Sequence, residues 1–232
     1  MFYYGFDWTY IIMILPAVIF SLWASSRVNG TYKRYSTQYS RKGITAEEAC
    51  RKVLDENGCS DVQILRIQGN LTDHYDPKAN VIRLSDSVYG STSTAAIGVA
   101  CHEAGHAIQY ARNYGPIKFR AAIVNVTQIG SQLSFPLVLI GLLFSSTSLA
   151  YLGVFLFGFC VLFQLVTLPT EYDASHRAIL ALENSSILDS EEIEGSKKVL
   201  NAAALTYVAA LSVSIMQLLR LLMIVGSRSR ND

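Results

Sequence analysis

The chain has 232 residues, 51% of them hydrophobic and 16% charged, with a formal net charge of +1. So low a charged fraction, against the usual quarter, argues against an ordinary soluble domain and puts part of the chain in lipid. No nucleic-acid partner is expected.

In chain order, the first element is Trp8–Ser26, an uncharged stretch of 19 residues with Trp8 and Trp23 placed as interface anchors. A cleaved signal peptide would need a basic leader. The opening MFYYGFD has no Lys or Arg and carries Asp7, while Arg27, Lys33, Arg34, Arg41 and Lys42 follow the apolar run. That order predicts an uncleaved transmembrane anchor over 1–26, N-terminus outside. Residues 27–120 hold 13 of the 19 Lys and Arg residues, which predicts a cytoplasmic region.

Within that region, TAEEACRKVLDENG predicts a helix capped by Thr45, with Glu48 three residues on and Gly58 at its end. DVQILRI alternates as a strand, VIRLS is a second strand, and GNLTDHYDPKAN between them contains turn residues. VIRLS is either an internal strand or an edge that pairs with a substrate backbone.

ACHEAGHAIQY, residues 100–110, carries the chemistry. On a helix, His102 and His106 lie on one face a turn apart and can aim two imidazoles at one ion. Glu103, about 100° round, stands beside that ion, where a carboxylate can take a proton from water. This is the H-E-x-x-H arrangement of zinc hydrolases. The expected cofactor is Zn2+. Gly105 costs helix propensity, and its missing side chain leaves room beside the imidazoles. The metzincin extension is excluded, because Gln109 and Arg112 stand where it needs Gly and His. Cys50, Cys59, Cys101 and Cys160 show no CxxC spacing and read as reduced thiols, with Cys101 as packing.

From Ala121 to Thr170 run 50 residues without Asp, Glu, Lys, Arg or His. About 20 helical residues cross a bilayer core, so this run suffices for two crossings, at roughly 123–144 and 149–168, turning at Ser145–Ser148. The transmembrane hairpin is assigned to 121–170, a third-ligand helix and loop to 171–201, and a C-terminal hydrophobic helix and tail to 202–232. Val199–Val225 is long enough to cross, although Gln217 and Arg220 interrupt it and Arg228 and Arg230 would then lie outside.

A catalytic zinc usually has three protein ligands. Two crossings bring the chain back to the side of His102 and His106, at LPTEYDASHRA. Glu171 is the first choice there, two residues past Pro169, a suitable first residue of a helix. Asp173 and His176 are the alternatives. His176, Tyr172 and His74 are candidates to stabilise the oxyanion.

CHEAGHAIQ, followed beyond a hydrophobic hairpin by EYDASHRA, resembles the membrane gluzincins. The broader relatives are the HtpX-like and CAAX prenyl proteases, whose third ligand is the Glu of an E-x-x-x-D segment. With LTDHYDPKANVIRLS and the N-terminal anchor, the chain looks most like the YugP-like neutral zinc metallopeptidases, over nearly its whole length. The resemblance implies His102, His106 and Glu171 as zinc ligands and Glu103 as general base. Ser175 stands where the broader relatives have their acid, so the partner that orients a ligand His is Ser175 or Asp173.

The expected fold is α+β and mainly helical: a small cytoplasmic helix–sheet region with the H-E-x-x-H helix, plus three to four transmembrane helices. The expected activity is zinc-dependent hydrolysis of protein or peptide substrates, membrane proteins among them, at the cytoplasmic face of the cell membrane. A site-2-type intramembrane protease needs the motif inside a long apolar span and a later Asp-Gly. Asp86 and Arg112 bracket the motif here, and no Asp-Gly occurs. A non-catalytic zinc scaffold would have no need of Glu103.

Overall fold

The computed structural model describes residues 8–229. Asp7 and Arg230, on which part of the topology reading rests, lie outside the described residues.

The elements are α1 (Leu15–Tyr35), α2 (Ala46–Glu56), β1 (Gln63–Ile67), β2 (His74–Asp76), β3 (Val81–Ser85), α3 (Thr94–Ala111), α4 (Gly115–Leu143), α5 (Thr147–Ser185) and α6 (Ser190–Ser229). A wide π-helical stretch, Tyr10–Ile14, opens α1. It precedes Pro16, which lacks an amide donor and whose ring crowds the carbonyl four residues back. Among the described residues, four helices are long and apolar enough to cross a membrane: Tyr10–Tyr35, Gly115–Leu143, Thr147–Ser185 and Ser190–Arg228. The fold is α+β and mainly helical, as expected, with four such helices.

The chain divides into two compact units. The first comprises residues up to Ala24, Phe119–Leu168 and Thr206 onward. Its packing centres on Val138, Ala150, Val154, Leu221 and Val225. The α4–α5 hairpin closes on small residues: a Cβ at Gly153 would fall 2.6 Å from the Ser134 carbonyl oxygen. Without a hydrophobic drive between helices in lipid, such close approach lets dispersion hold them. Leu139, Leu143, Phe144 and Phe155 stay exposed, a face suited to acyl chains rather than water.

The second unit comprises Ser25–Lys118 and Pro169–Leu205 and contains every mixed element. α2 has the predicted capping box: Thr45 accepts from the Glu48 amide, and the Glu48 carboxylate accepts from the Thr45 amide. It buries Ala46, Ala49, Cys50, Val53 and Leu54 against Ile97, Ala100, Cys101 and Ala104 of α3. The sheet order is β1-β3-β2, with β1 parallel and β2 antiparallel to β3.

Two expectations are corrected here. His74, read as a polar turn residue, lies instead in β2, which is paired residue by residue as His74–Arg83, Tyr75–Ile82 and Asp76–Val81. Its three residues are too few for a periodic signal, and tertiary bonds fix them. Asp76 accepts from the Lys78 and Ala79 amides to shape the return turn, and Asp73 accepts from the amide and hydroxyl of Ser85. VIRLS is therefore the central strand, so neither of its edges is open to a substrate.

No helix starts at Pro169. α5 runs unbroken from Thr147 to Ser185 with Pro169 in its interior. The ring removes only one amide donor, and helix on both sides carries the geometry across. The α5–α6 turn ends where the Asp189 amide donates to Glu192, which also accepts from the Arg41 amide.

Candidate metal centre

α3 begins where the Ser93 hydroxyl accepts from the Ala96 amide, and it carries His102, Glu103 and His106 in the middle of its 18 residues. The two imidazoles meet edge to face, with centroids 4.7 Å apart. α5 brings Glu171 to them, buried at 3% exposure. Its Oε2 lies 3.2 Å from His102 Nε2 and 3.6 Å from His106 Nε2. Among the described residues, His102, His106 and Glu171 group potential ligand atoms within 4.8 Å of one another. Zinc bonds of about 2.0–2.1 Å in a tetrahedron put ligand atoms roughly 3.3 Å apart, so this spacing and donor set fit the ion.

The rear nitrogens of both rings are engaged. His102 Nδ1 is 3.0 Å from the Ser175 hydroxyl, and His106 Nδ1 is 3.0 Å from Gln109 Oε1. Gln109 is fully buried, and its amide nitrogen donates to the Thr170 carbonyl at 2.7 Å and to Asp173 Oδ2 at 2.8 Å. Asp173 is in turn held by Arg177 Nε at 2.6 Å. A carbonyl oxygen can only accept, so the amide nitrogen must face Thr170, and Oε1 must face His106. Ser175 thus touches a ligand-group His directly, and Asp173 reaches the other only through Gln109.

Burial works against a charge on His106, and the Glu171 carboxylate outweighs it, raising the imidazole above its ordinary pKa. Glu103 stands outside the three-residue group, as its helical position requires. Its Oε2 accepts from the Tyr75 main-chain amide at 2.9 Å, so β2 touches the motif helix through its backbone.

The remaining candidates sit elsewhere. His74 is exposed, with Nδ1 2.9 Å from the Thr72 carbonyl. Tyr172 and His176 line a cavity of about 270 Å³ together with Lys197 and Asn201 of α6. Cys101 is buried in the α2–α3 core, where burial pushes its thiol up to about 12. Gln109 and the Tyr75 amide escaped the sequence reading. The first had a signal, an amide one turn beyond His106 in an otherwise apolar stretch. The second, a main-chain group, has none.

Comparison with known proteins agrees with this geometry. Residues 10–226 match the family described as "Putative neutral zinc metallopeptidase", and the chain belongs to that family. It is 43% identical to "Putative membrane protease YugP" of Bacillus subtilis (strain 168) over 215 residues, covering 93% of this chain and 96% of that one. No solved structure matches. The cofactor of the family is zinc, in accord with the His–His–Glu group.

Gly105 makes room first of all for α5, whose backbone comes nearest to its missing side chain. A Cβ there would fall 3.0 Å from the carbonyl carbon of Ala174 and 3.2 Å from its Cα, and nearer still to its oxygen. Backbone cannot yield cheaply, so Gly105→Ala is expected to destabilise the protein by about 1–3 kcal/mol. It should also lower the bound zinc. Thermal unfolding with and without chelator, together with metal analysis, checks both; wild-type values in both would contradict the close approach.

Proposed function

We propose that this member of the zinc metallopeptidase family is a gluzincin-type endopeptidase of the membrane, with its active site at the cytoplasmic face. Its ligands are His102, His106 and Glu171, and its general base is Glu103. The observation that carries this reading is the convergence of two Nε2 atoms and one carboxylate oxygen beside an adjacent, separately anchored Glu. A bound zinc supplies a Lewis acid that polarises a peptide carbonyl and lowers the pKa of water towards 7. Glu103 accepts the proton of the attacking water. The Tyr75 amide engages Oε2, which leaves Oε1 to carry that proton and hand it to the leaving amine. Ser175 and Gln109 accept from the two Nδ1–H groups, keeping the Nε2 lone pairs for the metal. Protein and peptide chains are the substrates, membrane proteins among them.

The site-2-type alternative needs the motif inside a membrane span. α3 is not among the four helices that qualify by length and composition, which favours the membrane-surface reading.

Metal analysis of Glu171→Ala should show loss of zinc at unchanged folding. Glu103→Gln should keep one zinc per chain and lose about 10²–10⁴-fold in peptide hydrolysis. Near-normal turnover in Glu103→Gln, or full zinc in Glu171→Ala, would sink the assignment.

Gln109→Met keeps volume and removes the acceptor behind His106. Zinc affinity is expected to fall about 10–100-fold, read by chelator competition. Unchanged affinity would leave the amide a purely structural role.

The orientation rests on the 13 cations of residues 27–120 and on an even number of crossings between the two zinc segments. Single cysteines at Lys78, Ser146 and Ser186, in a background without native cysteines, should react with an impermeant reagent on intact cells only at Ser146. Reaction at Lys78 and Ser186 alone would mean that the site faces outward.

A further inference from the structure

A cavity of about 720 Å³ lies within the mixed unit, walled by α1, α5 and α6. Arg27, Arg34 and Tyr35 line it from α1, Tyr172 from α5, and Lys198 and Asn201 from α6. Among the described residues, none of those lining it is acidic. Lys198 has a 3.5 Å contact with Glu194, but that pair is half exposed, of the kind that solvent weakens, and Glu194 is not in the wall. Gly30, with open space around its missing side chain, keeps the α1 wall low.

The lining has a common position along its helices. Arg27 comes within one turn of Ala24, where the uncharged stretch of α1 is ending. Lys198 is the last charge before the apolar stretch that opens at Val199, and Tyr172 follows the uncharged run that ends at Thr170. Three helices thus meet at one cavity where each passes from apolar to charged sequence, the depth at which lipid headgroups lie.

We propose that this cavity binds the phosphate of an anionic phospholipid. Guanidinium groups present paired donors that match phosphate oxygens, and Lys198 adds a point charge. The Tyr172 hydroxyl and the Asn201 amide are further donors for the headgroup. Three cations favour a lipid with net negative charge over a zwitterionic one, whose own ammonium they repel. The site is separate from zinc binding, so zinc content should stay normal when it is altered.

The test compares full-length protein in nanodiscs or detergent, with phosphatidylglycerol and phosphatidylcholine as probes, by native mass spectrometry and lipid titration. The variant Arg27→Gln/Arg34→Gln/Lys198→Gln is set against Lys33→Gln/Lys78→Gln/Lys118→Gln, which removes the same charge away from the cavity. At about five-fold per cation, the cavity variant is expected to lose on the order of 100-fold in phosphatidylglycerol affinity. The control should keep wild-type affinity, and Arg27→Lys/Arg34→Lys, which keeps the charge but loses the paired donors, should fall between the control and the cavity variant. Phosphatidylcholine and millimolar inorganic phosphate should fail to displace the anionic lipid. Equal losses in both triple variants, or none in either, would overturn the site and leave the cations as topology signals alone. Full displacement by inorganic phosphate would reassign the cavity to a free anion. Binding of an acidic peptide without lipid retention would reassign it to a peptide.

Discussion

The approach of α3 to α5 is the constraint on which the rest depends. One imidazole pair on the first helix must meet one carboxylate on the second at hydrogen-bonding distance, although 64 residues intervene between His106 and Glu171, 50 of them the uncharged run from Ala121 to Thr170. Two features of α3 permit it. Gly105 offers no side chain to the backbone of Ala174, and Gln109 reaches across to Thr170 and Asp173. The two hydrogen bonds of the Gln109 amide and a bare patch of helix thus set the separation, which a metal site needs held to about 0.5 Å.

Around that contact the mixed unit works as a brace. α2 covers the far face of α3 with small and branched residues, and β2 reaches the motif through the Tyr75 amide. The sheet is small because it has little to enclose. Its central strand, buried on Val81, Ile82, Leu84 and Ser85, fixes β2 at a height where that amide finds Glu103.

What the sequence made legible follows the reach of local physics. The spacing of His102 and His106 identified a helix face, Thr45 and Glu48 marked a capped start, and an uncharged run without interruption announced the hairpin. Each signal lives within one turn or one run of residues. What escaped depended on partners far along the chain. β2 is three residues among turn formers, defined by β3 and Asp73 rather than by its own pattern. Pro169 reads as a helix start by local preference, yet helix on both sides overrides it. Gly105 was understood as space beside the imidazoles, because nothing local reveals that Ala174 comes to fill it. The grouping of Glu171 with the two histidines could be anticipated from the parity of the crossings and from family resemblance; Gln109 showed its polarity one turn past His106, but its partners Thr170 and Asp173 lie on another helix and gave no local sign.

The bond between Tyr75 and Glu103 differs in kind from the others at this site, since its donor belongs to the peptide chain. Every amino acid but proline carries that donor. An alanine scan would pass over it, and drift at position 75 can alter the ring that meets Tyr110 at a tilt while the carboxylate keeps its tether. Such an anchor is protected from point mutation by being written into the backbone path, and only a proline or an amide-to-ester replacement can remove it.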